Sequence, residues 1–270
     1  ARLAAAVDEQ LAEVQRGLAA ADEDARAELE QRHLGNIRCR ERRFDLKLGL
    51  DAPARGALAE LGRTVGPLLE QLVSAEGRLV ELACIVSDPG AEQQPLHADT
   101  RADVNSCAPL ITVFVALQRV TSEMGPTLLC PGTHSAEWHT TLERTAPSAR
   151  AGDAVLDSFG AAAVACEAGT AVLMDSRLLH CGGRNAAEGE GGRRRRLLVA
   201  TWQLPGNAPV GSTYSIRGEL AGRLRLRHFL EGGAGPPEDL LACGAGCLGD
   251  GADRGFGNAA SHGGRSSAER

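Results

Sequence analysis

The feature that most constrains this chain is a change of hydrophobic period near residue 79. Before it, apolar residues recur at spacings of three and four; after it, they come in short runs cut by Gly and Pro. The first pattern matches the turn of an α-helix, and the second matches strands between turns. In residues 1–34 the stripe is Leu3, Val7, Leu11, Val14 and Leu18, and Gly35-Asn36 offers a stop. This predicts an amphipathic helix covering one face of a domain, with a coiled-coil arm as the other reading of so short a stripe. A second helix is expected after Asp51, a good cap, with Pro53 in its first turn. Its stripe of Leu58, Leu61, Val65, Leu68 and Leu72 should pack on a sheet.

From Leu79 to Leu204 the apolar runs are Leu82–Val86, Leu110–Gln118, Thr127–Cys130, Thr170–Met174, Arg177–His180 and Leu197–Gln203. Asp88-Pro89-Gly90, Gly125-Pro126, Pro131-Gly132 and Gly182-Gly183 punctuate them. Many short strands without a long helix among them predict an antiparallel sandwich or barrel. Helices first and strands after make the chain α+β, mainly β, with the N-terminal helices packed on the sheet. Residues 231–270 hold 11 of the 33 Gly and few large apolar side chains, too little to offset the entropy of ordering. The expected organisation is an N-terminal helix over 1–36, a β domain with its supporting helix over 37–230, and a disordered tail over 231–270.

Charge and aromatic content narrow the function. Lys and Arg number 29 against 35 Asp and Glu, a net charge of −6, and aromatics are 3%. Nucleic-acid binding needs basic surface and, for single strands, stacking platforms, so it is excluded. The apolar run Leu110–Leu117 is far shorter than a membrane span. Eight Cys at irregular spacing do not form a secreted disulfide framework, and Cys243 with Cys247 lacks the second pair of a zinc site. A reducing compartment is expected, the cytoplasm or an organelle lumen. The first residue is Ala rather than Met, so the chain reads as a fragment or a processed form and any targeting segment is unreadable.

The chemistry centres on Gln94-Pro-Leu-His97-Ala-Asp99-Thr100. In extended backbone, residues i and i+2 share a side, so His97 and Asp99 can present imidazole and carboxylate to one point. Alone, a His-x-Asp triplet is ordinary. Downstream, Gly169 to His180 carries an apolar strand through a turn to a second histidine, and Arg193 to Arg196 then enter another apolar strand. Two His and one carboxylate make a facial triad that leaves metal positions open for non-haem Fe(II) oxygen chemistry. An arginine at the next strand's head suits a dicarboxylate, which the guanidinium can bind bidentately.

At these residues the chain resembles the phytanoyl-CoA dioxygenase family of Fe(II)/2-oxoglutarate oxygenases. The matching pieces are His97-Ala-Asp99, Met124-Gly-Pro-Thr127, Pro131-Gly-Thr-His134, Gly169-Thr170, Asp175-Ser-Arg-Leu-Leu-His180, Asn185, and the Arg run before Leu197-Leu-Val-Ala-Thr-Trp202. They span roughly residues 79–230. The resemblance implies a double-stranded β-helix (jelly roll, cupin-like) core with iron on His97, Asp99 and His180. It implies 2-oxoglutarate and O2 as co-substrates, the distal carboxylate of 2-oxoglutarate on Arg195, and Asn185 on the co-substrate side or tying down its loop. The Glu188–Gly192 stretch lengthens the loop before the run, so Arg194 and Arg196 stay open as register alternatives. The implied reaction hydroxylates a C–H bond of a small organic or lipid-like metabolite and releases succinate and CO2; an Asp at position 99 favours hydroxylation over halogenation. Gln93 and Gln94 are candidates for substrate contact, and lid loops are placed before His97 and in Ser135–Gly169. His134 reads as a turn residue, and His33, His139, His228 and His262 as surface or packing residues. Two other readings stand beside this one. The first is a cupin-type metal protein (isomerase, non-2-oxoglutarate oxygenase or sensor), and the second is a non-catalytic interaction protein.

Overall fold

The computed structural model describes residues 1–35, 41–102, 110–206, 215–233 and 235–241. It opens with α1 (Arg2–Ala20) and α2 (Glu23–His33), two helices where the stripe predicted one. The break falls at Ala21-Asp22, where extended Asp22 accepts the Ala25 N–H at 3.0 Å and so caps α2. The stripe belongs to α1, which buries Leu3, Val7, Leu11 and Val14; α2 buries nothing. β1 (Arg43–Lys47) follows, a strand missing from the expected set because its Arg-Phe-Asp-Leu-Lys alternation contains no apolar run.

Asp51 does cap α3 (Ala52–Thr64), accepting the Ala54 N–H at 2.8 Å with Pro53 in the first turn. The expected single helix is corrected here too. α3 stops at Val65, and α4 (Gly66–Val73) starts anew around Pro67, which has no N–H to continue the ladder. The restart shifts the phase. α4 buries Leu69 and Val73, leaving Leu68 and Leu72 exposed at 49% and 43%.

The remaining elements are β2 (Arg78–Ser87), β3 (Leu110–Ala116), β4 (Thr127–Leu129), α5 (Ala136–Arg144), α6 (Asp153–Ser158), β5 (Ala162–Ala163), β6 (Ala171–Asp175), β7 (His180–Gly182), β8 (Arg195–Gln203) and α7 (Glu238–Leu241). The predicted run Arg177–His180 is mostly turn: Asp175 accepts the Arg177 N–H at 2.9 Å, and the strand begins only at His180.

The strands form a five-stranded sheet in the order β1-β2-β8-β3-β6 and a three-stranded sheet in the order β5-β4-β7, every pair antiparallel. The two sheets face each other across Phe114, Val199 and Met174 from the large sheet and Leu129 from the small one. This is the double-stranded β-helix expected. β8 divides its residues by alternation. Leu198, Ala200 and Trp202 point outward into one core with Leu46, Leu82, Val86 and the Val7 and Leu11 of α1. Leu197 and Val199 point inward.

Asp8 pins α1 on the sheet, accepting from Arg196 Nε and Nη2 at 2.8 and 2.7 Å and from Arg194 Nη1 at 3.2 Å. Packed structure runs further into the C-terminal stretch than expected, because Leu240 of α7 is buried in the helix-side core. Residues 242–270, with Cys243, Cys247 and His262, lie outside the described residues, as does Asn36. Among the described residues no helix is long and apolar enough to cross a membrane.

Candidate active site

His97 and His180 lie side by side on neighbouring backbones. His97 N–H donates to the His180 carbonyl at 3.0 Å, and His180 N–H returns the bond at 2.8 Å. Each ring is then oriented by its own chain: Nδ1 of His97 meets the Pro95 carbonyl at 2.8 Å, and Nδ1 of His180 meets the Leu178 carbonyl at 3.0 Å. A carbonyl only accepts, so each Nδ1 carries the proton and each Nε2 presents its lone pair. Those two lone-pair atoms sit 4.0 and 3.7 Å from Asp99 Oδ1, and the three side chains place their donor atoms within 4.8 Å of one another. The spacing is too long for hydrogen bonds and suits a shared cation. The expected triad is brought together.

Its supports come from several elements. The N–H groups of Asp99 and Thr100 both donate to the Ser176 carbonyl, at 2.9 and 3.0 Å, and Thr100 and Ser176 hydroxyls meet at 2.7 Å. Thr133, from the Pro-Gly-Thr-His piece, accepts the Leu179 N–H at 3.0 Å and donates to the Cys130 carbonyl at 2.6 Å, setting the entry of β7. Gln94 braces the exit: its backbone N–H donates to the Gly182 carbonyl, and its Oε1 accepts the Gly182 N–H at 2.8 Å. That oxygen, expected as a substrate contact, is engaged by backbone. His139 was expected to be an ordinary packing residue. It instead joins the two ligand-bearing segments, Nδ1 accepting the Ala102 N–H at 3.2 Å and Nε2 donating to the Arg177 carbonyl at 2.8 Å.

The arginine run is sorted by the two faces of the sheet. Arg194 pairs with Asp88 at 2.5 and 2.9 Å and Arg196 with Asp8, both on the α1 side. Arg195 points between the sheets and is 1% exposed. One of its N–H groups donates to the Gly125 carbonyl, while its Nε has no hydrogen-bond partner among the described residues. Burial and then the Arg43 guanidinium push Arg195 down to about 9. Asn185 is fully buried; its amide donates to the Ser87 and Arg193 carbonyls at 2.9 Å each, which ties the loop to the end of β2 and to the segment leading into β8.

Gly125 explains the Met-Gly-Pro piece. It adopts φ +63°, and a Cβ there would lie 2.5 Å from the Gly183 and Arg184 backbone, so only Gly fits.

Three inward residues have no signature in the sequence: Arg43, Ser87 and Glu81. Only the polar-apolar alternation of β1 could have pointed to the first. Glu81 accepts from the Thr201 hydroxyl, and Thr201 shares a hydrogen bond of 3.0 Å with Thr112. Burial, then the Asp45 carboxylate and more weakly Asp99, push Glu81 up to about 8. An apolar cavity lined by Phe114, Leu129, Val172 and Leu197 lies between the sheets.

A search of curated protein sequences finds no significant match. Solved structures do. HygX from Streptomyces hygroscopicus, with nickel, 2-oxoglutarate and hygromycin B bound, is 19% identical, with 68% of this chain and 78% of that chain covered and a TM-score of 0.47. EctD from S. alaskensis, with 2-oxoglutarate and 5-hydroxyectoine, is 15% identical, with 82% and 75% covered and a TM-score of 0.47. EvdMO1 is 22% identical at a TM-score of 0.40, and the chain covers 31% of its length. These overlays are loose, and the assignment rests on the family match instead. The family model for phytanoyl-CoA dioxygenase (PhyH) matches residues 2–195, well over half the chain and including the N-terminal helices that the motif pieces left out. The chain therefore belongs to the phytanoyl-CoA dioxygenase family of Fe(II)- and 2-oxoglutarate-dependent oxygenases.

Proposed function

We propose that His97, Asp99 and His180 hold Fe(II), that Arg195 binds the distal carboxylate of 2-oxoglutarate, and that the enzyme hydroxylates a C–H bond of a small organic or lipid-like metabolite. The observation that carries the reading is the pair of histidines whose Nδ1 protons are fixed by backbone carbonyls, so that both Nε2 lone pairs face Asp99. Iron and 2-oxoglutarate, when bound, supply the oxidising chemistry with O2, and succinate and CO2 leave. The chain's own residues hold and orient. Asp99 contributes the negative charge that a divalent ion prefers, while the neutral imidazoles complete the ligand set. Arg195 fits the co-substrate because a buried guanidinium with an unmatched Nε is what a carboxylate would satisfy. Phe114, whose ring lies 6.5 Å from that of His180, and the apolar cavity wall keep water from the ion's inner side. Every residue of the centre lies within the 37–230 domain, with α1 as a buttress. A reducing compartment, cytoplasm or organelle lumen, is consistent with free Cys84, Cys130, Cys166 and Cys181.

The test uses Mn(II) as a redox-silent stand-in. Titrating 2-oxoglutarate into the Mn(II)-loaded chain should give metal-dependent binding and a raised melting temperature. His97→Ala, Asp99→Ala and His180→Ala should each abolish this while the far-UV spectrum is retained. Metal binding without any response to 2-oxoglutarate would turn the reading to the cupin-type alternative.

A further inference from the structure

The inward face of β8 runs from a cationic end to an acidic one. Arg195 heads the strand, and Thr201 lies further along on the same face. At the usual rise per residue the two are roughly 20 Å apart. Val199 lies between them and is paired across the sheet with Phe114, whose ring is 6.5 Å from that of His180. The metal centre therefore sits between the Arg195 end and the Thr201 end. With the co-substrate reaching from Arg195 to the metal, the far end is what remains for the substrate.

A polar row crosses the large sheet at that far end. The register sets Glu81 of β2 opposite Thr201, and Thr201 opposite Thr112 of β3. Directly opposed residues of antiparallel strands point to the same face, so all three side chains turn to the metal side. Thr112 and Thr201 are each 2% exposed, whereas Glu81 keeps part of its surface open. Glu81 is thus the member of the row that a molecule in the site can reach. The Thr201 hydroxyl donates to Glu81 and meets that of Thr112 at 3.0 Å. On the other side, the Ser215 hydroxyl bonds both Glu81 and Asp45. A hydroxyl has one hydrogen, so a proton shared between the two carboxyl groups must complete this bridge. Burial, then the Asp45 carboxylate and more weakly Asp99, push Glu81 up to about 8, which leaves that proton on Glu81 at neutral pH. Lys47 of β1 lies nearer to Asp45, and its ammonium is taken by the Gln31 carbonyl of α2.

We propose that Glu81 determines substrate specificity and that the substrate carries a protonated amine, which docks on the Glu81 carboxylate beside the metal centre. This rests on the oxygenase reading above and narrows its metabolite to an amine. An ammonium group takes the place of the shared proton, which passes to solvent, and Glu81 and Asp45 then both ionise. Thr201 still donates to the carboxylate, so docking leaves no member of the row unmatched. An alcohol in the same place gains only a neutral hydrogen bond, about half as strong as a charge-assisted one. A carboxylate there meets the like charges of Asp45 and Glu81.

The experiment titrates the full chain with Mn(II) and 2-oxoglutarate in a calorimeter, and then with n-hexylammonium, n-hexanol or n-hexanoate. These probes share a chain length and differ in the charge of the head group. The parent should bind n-hexylammonium at least about tenfold more tightly than n-hexanol, or about 1.4 kcal/mol, and n-hexanoate more weakly than either. Glu81→Gln keeps the size of the side chain and an acceptor for Thr201, and removes only the charge. It should weaken n-hexylammonium at least about tenfold and n-hexanol by less than about threefold. Its 2-oxoglutarate titration shows whether the metal and co-substrate sites are intact. Equal affinity of the parent for ammonium and alcohol, or no saturable binding of the ammonium, would overturn the inference. So would an ammonium affinity that survives Glu81→Gln within about threefold. In each of these cases 2-oxoglutarate binding by the parent leaves the oxygenase reading standing. A parent that holds Mn(II) and ignores 2-oxoglutarate would bring down both. Should Glu81→Gln fail to fold, Glu81→Asp replaces it: the charge stays but retreats by one methylene. It should weaken n-hexylammonium more than n-hexanol, and an unchanged ratio of the two affinities would overturn the assignment of Glu81.

Discussion

Arg195 and Arg196 are adjacent in β8 and live in opposite surroundings. Arg196 turns outward to α1, where Asp8 accepts two of its N–H groups and Leu198, Ala200 and Trp202 continue the face as plain core. Arg195 turns inward, with a backbone carbonyl, a second arginine and an unmatched Nε for company. The outer face matches each of its charges and is otherwise apolar, as a surface selected for stability should be. The inner face keeps buried polar groups at both ends, Arg195 with its unmatched Nε at one and Glu81 with Thr201 and Thr112 at the other. Groups left costly in the ligand-free fold are where ligands are received. One strand thus separates stability from chemistry by its two-residue period.

The sharpest way to break this contrast is Trp202→Ala. Trp202 is fully buried and packs edge-on against Phe229 at 5.9 Å. Its truncation should cost about 3–5 kcal/mol of stability, read from the denaturant midpoint, while the folded protein keeps its 2-oxoglutarate affinity. Normal stability with lost affinity would mean the faces are not separated.

Glu81 tests the inner face by pH. Its folded pKa of about 8 lies above the ordinary carboxylate value, so the folded state holds a proton that the unfolded state has released. Below about pH 4.5 both states are protonated and nothing is lost; from there up to about pH 8 the group increasingly destabilises the fold. Glu81→Gln should therefore flatten the decline in stability across this window. Parallel pH profiles for the two proteins would show that Glu81 is not held neutral.

Arg196→Ala sharpens the comparison from the outer side. Asp8 is 37% exposed, so solvent screens the pair and the loss should be about 1 kcal/mol or less, shrinking further in high salt. Co-substrate affinity should stay put. The smallest effect is expected at Leu68→Ser and Leu72→Ser, which lie on the exposed side of α4 and should each shift stability by no more than about 0.5 kcal/mol. A large loss at either would restore the single continuous helix that the spacing alone predicted.

How much was legible follows from the distance over which each feature is decided. The Asp51 cap with Pro53, the α1 stripe and the His97/Asp99 pair all depend on residues within a few positions of one another, and the structure contains them as read. The restart at Gly66-Pro67 is equally local, and was masked because Leu68 and Leu72 happen to extend the stripe of α3. β1 escaped because its inward residues are charged. An inward Arg43 makes sense only when the second sheet stands opposite, since its Nη2 donates to the Gly183 carbonyl just past β7.

The sequence by itself determined the class of the fold and the same-side His97/Asp99 pair, since periods of 3.6 and 2 are properties of the backbone alone, while His180 as third ligand and an inward arginine in the run came from the family resemblance. Which arginine turns inward, that Arg43 and Ser87 stand in its row, and that His139 joins the two ligand segments were decided only by the tertiary structure. A buried charge or an unmatched hydroxyl is defined by what lies across from it. Here, those neighbours come from strands separated by as many as 152 positions, from Arg43 to Arg195, and are placed by hydrogen-bond register rather than by local spacing.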